Sequence, residues 1–308
     1  MITFLRSNNG LSECGSWETK CWANVQEPDN EDKKFLIEKL QIPEAYFNDI
    51  EDVDERPRIE LDEGWFLVLM RIPYKSNDKK LPFSTVPLGL IFREDIFVSI
   101  CFYKTEMVPD FITYTRRKSI IIQNHFDLAL RLILSSSVWY LKYLKQINQN
   151  IRYAESMLEK SIKNEDLQTL LRIEKCLVFF TTSLRGNDLL VNRLRNIKEH
   201  KESYDPELLE DVDIELKQAL DTTNIHSEIL SGMMDAYASV ISNNISVIMK
   251  QLTSISIILM LPTLIASLYG MNVPNTFEQN PGGFWLILLI SFSVSIVAVI
   301  IFINRKWF

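Results

Sequence analysis

The sequence predicts a membrane protein with an α/β domain at its N-terminal end, a long helical stalk and two transmembrane helices at its C-terminal end. Three observations predict it. Every charged residue except Glu278, Arg305 and Lys306 falls within residues 1–250. Two stretches beyond that point, Leu252–Tyr269 and Phe284–Ile303, carry no charge, and each is near the ~20 residues a helix needs to cross hydrocarbon. Residues 207–261 contain no proline and a single glycine, Gly232, so one helical pattern runs without a break into the first apolar stretch.

Elements follow in order. Residues 1–123 read as mixed α and β. Strand-like runs occur at Ile2–Arg6, Cys21–Val25, Trp65–Pro73 and Val86–Tyr103, the last divided by a hairpin turn at Arg93-Glu94-Asp95. Helical patterns fall at Asn30–Leu40 and Pro43–Asp52, with Pro43 suited to a first helical turn. A small sheet covered by helices accommodates these elements. Residues 124–204 read as a hairpin of two long helices, Asn124–Asn164 and Glu165–Asn196, with Leu130, Leu134, Leu141 and Leu144 on one apolar face. The stalk occupies 205–251. From Glu207 to Pro262 its pattern would be on the order of 80 Å long, more than a bilayer is thick.

The first span is 252–270, a loop follows at 271–283, the second span is 284–303, and a basic tail closes the chain at 304–308. A buried apolar hairpin in a soluble core is the other reading, but nothing else here is apolar enough to cover both helices. Lys250 precedes the first span, Arg305 and Lys306 follow the second, and the loop has no Lys or Arg. The positive-inside rule then puts both termini in the cytoplasm and the loop outside, as in a multi-pass protein of the cell (inner) membrane.

The averaged composition hides this division: 47% hydrophobic residues resembles a soluble protein. A formal net charge of -7 argues against nucleic acid as a partner, since such proteins carry basic stripes. Cys14, Cys21, Cys101 and Cys176 show no CxxC spacing and read as reduced thiols of a cytosolic domain. His125, His200 and His226 form no ligand cluster, and the first seven residues do not resemble a signal peptide. No nucleophile–His–acid set or phosphate loop is present, so the chain is not expected to be an enzyme.

The chemistry concentrates in Tyr269-Gly270-Met271-Asn272 at the outer end of the first span. Glycine lets the helix end or open there, and asparagine offers a carbonyl oxygen. In a symmetric oligomer Asn272 would become a ring of carbonyl oxygens, so that Gly270, Met271 and Asn272 form a neutral filter suited to a small, strongly hydrated cation, whose water is hydrogen-bonded rather than stripped. A simple helix C-cap with glycine in its common role is the alternative.

Here the sequence resembles the CorA family of magnesium (divalent metal ion) transporters. The resemblance rests on Tyr269-Gly270-Met271-Asn272, the short loop and second span, and the tail Arg305-Lys306-Trp307-Phe308. It extends through Met249-Lys250-Gln251-Leu252-Thr253, Met233-Met234-Asp235-Ala236-Tyr237 and Glu55-Arg56-Pro57-Arg58. It implies a homopentameric funnel embedded in the lipid bilayer, with the first span of each subunit lining the pore. Helical steps back from Ser267 then give a lining of Thr263, Met260, Ser256, Leu252 (or Thr253), Met249, Ser246 and Ser242. Small residues also allow close helix packing, so this stripe has two readings. Met249, Leu252 and Met260 would form apolar rings able to gate by dewetting. Neither span holds a carboxylate, which favours passive flux over ion-coupled transport.

Asp205, Glu207, Glu210, Asp211, Asp213 and Glu215 crowd the start of the stalk. They suit a solvated helix N-terminus; equally, carboxylates of adjacent subunits would repel unless a divalent cation lay between them. The resemblance places Asp211 at an intersubunit Mg2+-sensing position, with Asp78 as a candidate partner, and Asp235 facing the cytosolic pore. It also gives Arg305 and Lys306 as a basic ring. The loop departs from the family pattern: it lacks the Met-Pro-Glu-Leu signature, and Glu278 is left as a weak external cation attractor. Mg2+ is thus expected as both cargo and regulator. Another divalent cation (Zn2+, Co2+ or Ni2+) and a non-conducting membrane-anchored scaffold are the alternatives. The lack of His or Cys near the pore argues mildly against softer metals.

Overall fold

The structure is a computed structural model and describes residues 1–78, 80–160, 164–197, 205–271, 282–305 and 307. Asn272 and Glu278 of the expected filter and loop, and Lys306 of the tail, lie outside the described residues. Two compact units divide the chain, Met1–Gly232 and Met233–Phe308.

The first unit is built on a seven-stranded sheet in the order β2-β1-β3-β7-β6-β5-β4. Its strands are β1 (Ile2–Ser7), β2 (Leu11–Cys14), β3 (Trp22–Gln26), β4 (Arg58–Asp62), β5 (Trp65–Lys75), β6 (Phe83–Arg93) and β7 (Ile96–Cys101). Only β3 and β7 pair in parallel. The rest pair antiparallel, as short hairpin connections allow. Glu94 takes a left-handed backbone (φ 49°) in the β6–β7 turn, where the sequence places a hairpin.

Strands β5 and β6 are buried almost end to end, with uninterrupted apolar runs, because helices cover both faces. On one face lie α1 (Asn30–Lys34), which continues as a π-helical turn over Phe35–Lys39, and α2 (Glu44–Glu51). Leu36, Tyr46, Phe47 and Ile50 pack there against Val25, Leu67, Leu69 and Ile100. Pro43 is the N-cap of α2 and precedes its first turn, one position earlier than the sequence reading placed it. The other face carries α3 (Met107–Arg117), α4 (His125–Lys160) and α5 (Asn164–Arg195). Along α5 the buried residues Leu170, Ile173, Leu177, Phe180, Leu184, Val191 and Leu194 recur at helical spacing, and on α4 the core face runs through Ile133, Tyr140, Leu144, Ile147 and Ile151. Leu134 and Leu141 are only half-buried, at the margin of that face.

Two features hold the α4–α5 hairpin to the sheet. Arg71 of β5 is buried without a carboxylate partner, and its guanidinium donates to Thr85 Oγ1 (3.1 Å), Ser183 Oγ (3.1 Å), Thr85 O (2.8 Å), Glu55 O (3.0 Å) and Val53 O. Its own carbonyl accepts from Tyr140 Oη and Asn187 Nδ2. The second feature is a close approach: a Cβ on Gly186 of α5 would fall 2.7 Å from Cγ of Pro57. The Glu55-Arg56-Pro57-Arg58 segment is therefore a clasp, with Pro57 against α5 and Arg58 ion-paired to Asp49 (2.8 Å), Glu60 and Glu55.

Helix α6 runs from Pro206 to Tyr269 and belongs to both units. Within the first unit Leu209, Val212, Leu216, Ala219, Thr223 and Leu230 form its buried stripe. The helix continues through Pro262 and ends at Tyr269, so the helical pattern outlasts the proline that bounded it in the sequence. Helix α7 is Gly283–Asn304. Both α6 and α7 contain a window long and apolar enough to cross a membrane, and only 6% of each window is buried within the protein. A buried soluble hairpin would show the opposite.

Candidate ion pathway and cation-sensing residues

In the second unit the apolar end of α6 turns one stripe toward α7. Ser254 is fully buried, and Ile258, Leu261, Pro262, Ile265 and Tyr269 are half-buried. Ile258, Pro262 and Tyr269 line an apolar cavity of about 700 Å3 together with Phe284, Leu288 and Ser291. At about 100° per residue, Ile258, Leu261 and Ile265 lie within about 40° of Ser254 around the helix. Met249, Leu252, Ser256, Met260, Thr263 and Ser267 lie about 160–240° away on the same scale. These six, and Ser242 and Ser246 below them, are all exposed. The stripe expected to line a pore is therefore the face that α7 leaves uncovered. Its small residues are exposed, whereas Ser254 and Ser291 are buried.

The hydroxyls on and beside that face share one arrangement. Ser246 Oγ donates to Ser242 O (2.9 Å), Thr253 Oγ1 to Met249 O (2.8 Å), Ser256 Oγ to Leu252 O (2.9 Å) and Thr263 Oγ1 to Leu259 O (3.0 Å). Each hydroxyl has one proton, and each spends it on its own helix. What remains outward is oxygen lone pairs, acceptors for the protons of a cation's hydration water.

At the outer end Gly270 extends the helical bonding, its N–H donating to Ala266 O at 2.9 Å. It does not adopt the left-handed backbone of a glycine C-cap; among the described glycines Gly10 and Gly64 do. An added Cβ would sit 3.2 Å from Ala266 O, so the glycine here answers to space. Met271 is exposed. At the other end of α7, Arg305 is exposed and closes the helix through its N–H to Ile301 O, and Phe284 and Trp285 stand exposed in its first turn, as an interfacial aromatic pair does.

The acidic residues at the start of α6 divide into two kinds. Asp213 is bound: Arg195 at the end of α5 (2.8 Å) and Lys217 (3.1 Å) both reach its Oδ2. Burial pushes the Asp213 carboxyl up, but the hydrogen bonds and charges of Arg195 and Lys217 outweigh it and hold the group below the usual carboxylate range. Asp211, two residues away, is exposed and has no ion-pair or hydrogen-bond partner among the described residues. Asp78 is exposed in the β5–β6 connection, where its carboxylate accepts the Lys80 N–H of its own turn (2.8 Å). No bond joins Asp78 to Asp211 among the described residues. Asp235 is exposed on α6 in the second unit. Among the described residues of one chain, no three His, Cys, Asp or Glu side chains gather to hold a metal ion. The sequence reading missed Arg71 altogether; a lone arginine within the apolar run Trp65–Pro73 was its only signal.

Comparison with known proteins bears on the whole chain. Residues 17–306 match the model of the family described as CorA-like Mg2+ transporter protein. A cobalt/magnesium transport protein CorA from Methanocaldococcus jannaschii is 26% identical over 291 residues, covering 93% of this chain and 90% of that protein. Its counterpart from Thermotoga maritima is 28% identical over 276 residues, 84% of this chain and 75% of that protein. The solved structure of the complete CorA magnesium transporter from Methanocaldococcus jannaschii superposes with a TM-score of 0.85 at 23% identity, covering 100% of this chain and 99% of that one. The ZntB cytoplasmic domain from Vibrio parahaemolyticus matches in fold, with a TM-score of 0.61 at 12% identity over 80% of this chain and 98% of that one.

Proposed function

Since the chain belongs to the CorA-like Mg2+ transporter family, we propose that it is a divalent-cation channel that admits hydrated Mg2+ to the cytosol down the electrochemical gradient. The observation that carries this reading is the exposed hydroxyl-bearing face of α6, on which Ser246, Ser256 and Thr263 donate to their own helix and leave acceptor lone pairs outward. A closed ring of such helices, five in a homopentamer, would bring these faces around one axis and leave the α7 helices toward lipid. Mg2+ binds water tightly and dehydrates reluctantly, so a lining of hydroxyl lone pairs passes the hydrated ion without replacing its shell. Met249, Leu252 and Met260 interrupt that lining with apolar rings that close by dewetting. Gly270, Met271 and Asn272 form the outer filter, with Glu278 drawing cations to it. Asp235 would concentrate them at the inner mouth, and Arg305 and Lys306 would form a basic ring on the same side.

Regulation follows from Asp211. An exposed carboxylate without a cationic partner among the described residues, set facing a neighbouring subunit, would be repelled by that subunit's acids until Mg2+ bridges them. Asp78 is the candidate partner. Cytosolic Mg2+ then holds the closed state by differential binding, and its depletion releases it. In this arrangement the chain lies in the cell membrane with both termini in the cytosol. Cobalt is a second cargo favoured by the names of the two relatives; a resident soft-metal site in the pathway is disfavoured, because 233–308 contains neither His nor Cys.

Flux into dye-loaded proteoliposomes tests the proposal. Wild type should admit Mg2+ when the cytosolic face is Mg2+-free and stop at millimolar Mg2+. Asn272→Ala should lose flux, and Asp211→Ala should conduct at both concentrations. A folded oligomer that passes no Mg2+ under either condition sinks the magnesium reading, and the same assay with Co2+ then decides for or against the second cargo.

A further inference from the structure

We infer that Cys14 and Cys21 form an oxidisable dithiol, a site of reversible intrachain disulfide formation at the N-terminal edge of the sheet. Both are free thiols, and their sulfurs lie 3.7 Å apart. A disulfide measures about 2.0 Å, so the pair must close by roughly 1.7 Å. Cys14 ends β2 and Cys21 directly precedes β3, and the connector Gly15–Lys20 between them belongs to no strand or helix, so that movement need not break the sheet's ladder. The two thiols also differ in the way a redox pair requires. Cys14 is half-buried and open to a reagent, whereas Cys21 is 1% exposed and sits behind it as the resolving thiol.

The surroundings supply a cation. Arg6 of β1 lies beside both sulfurs and is itself ion-paired to Glu18 of the connector, so its charge favours a thiolate at Cys14. Burial and the neighbouring Cys21 work against it and push the Cys14 thiol up. The other two cysteines have no such partner. Cys101 is pushed up to about 12 by full burial, and Cys176 is raised by burial as well.

With a peroxide as oxidant the step balances. The Cys14 thiolate attacks one peroxide oxygen, the O–O bond breaks, and a sulfenic acid forms with release of water once the leaving oxygen is protonated. The Cys21 sulfur then attacks the Cys14 sulfur, the S–O bond breaks, and a second water leaves as the S–S bond forms. Two thiols are oxidised and one peroxide is reduced to water; a small-molecule dithiol reverses the reaction. The bond would lock the connector that carries Glu18 and Trp17, and with it the packing of Trp17 on Phe4 of β1.

The test uses the full-length protein in detergent, reduced, desalted, exposed to hydrogen peroxide, alkylated and digested with trypsin without reductant. Fragments Ser7–Lys20 and Cys21–Lys33 should appear joined, lighter by two hydrogens than their sum, and should separate on adding dithiothreitol. Cys14→Ser should abolish the joined fragment, and Cys101→Ser should leave it. In Cys21→Ala, Cys14 should remain as a sulfenic acid that a dimedone probe captures. Because Cys21 is buried and its replacement could disturb folding, Cys14→Ser at the half-buried site is the deciding variant. A Cys14 oxidised to sulfinic acid beside a free Cys21, or a crosslink to Cys101, to Cys176 or to another subunit, overturns the inference.

Discussion

The hydroxyls at the sheet and those on the apolar half of α6 serve opposite purposes. At the sheet, buried hydroxyls tie separate elements together: Thr85 Oγ1 meets Ser183 Oγ at 2.7 Å, and Ser99 Oγ accepts from Trp22 Nε1 while donating to Asn24 Oδ1. Along the apolar half of α6 the same hydroxyls donate to the carbonyl four residues back on their own helix, and most stay exposed. In the first setting both the proton and the lone pairs are used to fix a fold. In the second the proton is used up locally and the lone pairs are left on display. The difference teaches that a hydroxyl's role depends on who else can use its oxygen, and that exposure in a hydrocarbon-length helix needs a reason that packing does not give.

The sharpest break of that contrast is Arg71→Met. It removes the charge at the centre of the sheet unit's polar ties and orphans the Thr85, Val53 and Glu55 carbonyls, leaving the Thr85 and Ser183 hydroxyls to each other. Losing several charge-assisted bonds at a buried site should cost about 3 kcal/mol or more. Denaturant unfolding of the full-length protein should show it as an early loss of the sheet unit, with the helical signal of the membrane part retained. A wild-type midpoint would mean that the guanidinium carries no net stabilisation.

Next comes Gly186→Ala. The added methyl would meet a proline ring at 2.7 Å, and a ring cannot rotate away as a flexible side chain can. Overpacking of this kind costs about 1–3 kcal/mol. Thermal unfolding should therefore show a destabilised sheet unit, and the compensating pair Gly186→Ala with Pro57→Ala should recover most of the loss.

On the other side of the contrast, Thr263→Val keeps the shape and deletes the acceptor. Stability should be unchanged within about 0.5 kcal/mol, as for surface changes that remove no tertiary tie. Mg2+ flux should fall about fivefold, the equivalent of one hydrogen bond of about 1 kcal/mol. Ser254→Ala on the α7-facing stripe is the control and should leave flux intact. Equal losses in both would falsify the assignment of faces.

Much of this was legible from sequence because it depends on local periodicity. The two long apolar helices, the hairpin helices and the β6–β7 turn all follow from where apolar and turn residues recur. Short elements were not legible. Strands β2 and β4 are four and five residues long with mostly half-buried or exposed side chains, so no alternation marks them. Helix α3 holds Pro109 in its first turn and reads as a loop. Arg71 escaped for a different reason: its partners come from Val53, Thr85 and Ser183, and only the assembled fold brings them to one point. The filter motif was legible as residues, but its central asparagine, Asn272, lies outside the described residues and stays a proposal resting on the motif and on Gly270.

The smallest effect separates Asp213 from Asp211. Both sit in the same acidic run, and the sequence offers no way to tell them apart; the structure does, by giving Asp213 the cations of Arg195 and Lys217. The Asp213 carboxyl is held below its ordinary value in the folded state. A carboxylate of that kind stabilises the fold above its unfolded pKa, near 4, and the contribution is lost as pH falls through the lower, folded value. Asp213→Asn should thus destabilise the sheet unit by about 1 kcal/mol at neutral pH, the size of a partly screened ion pair. The gap to wild type should narrow as pH drops below about 4, because the wild-type carboxylate is then protonated too. Asp211→Asn, removing a charge with no partner, should leave unfolding unchanged across that range while altering the response of flux to cytosolic Mg2+. If instead Asp211→Asn destabilises and Asp213→Asn changes only the Mg2+ response, the two acids have exchanged roles, and the sensor proposed at Asp211 belongs at Asp213.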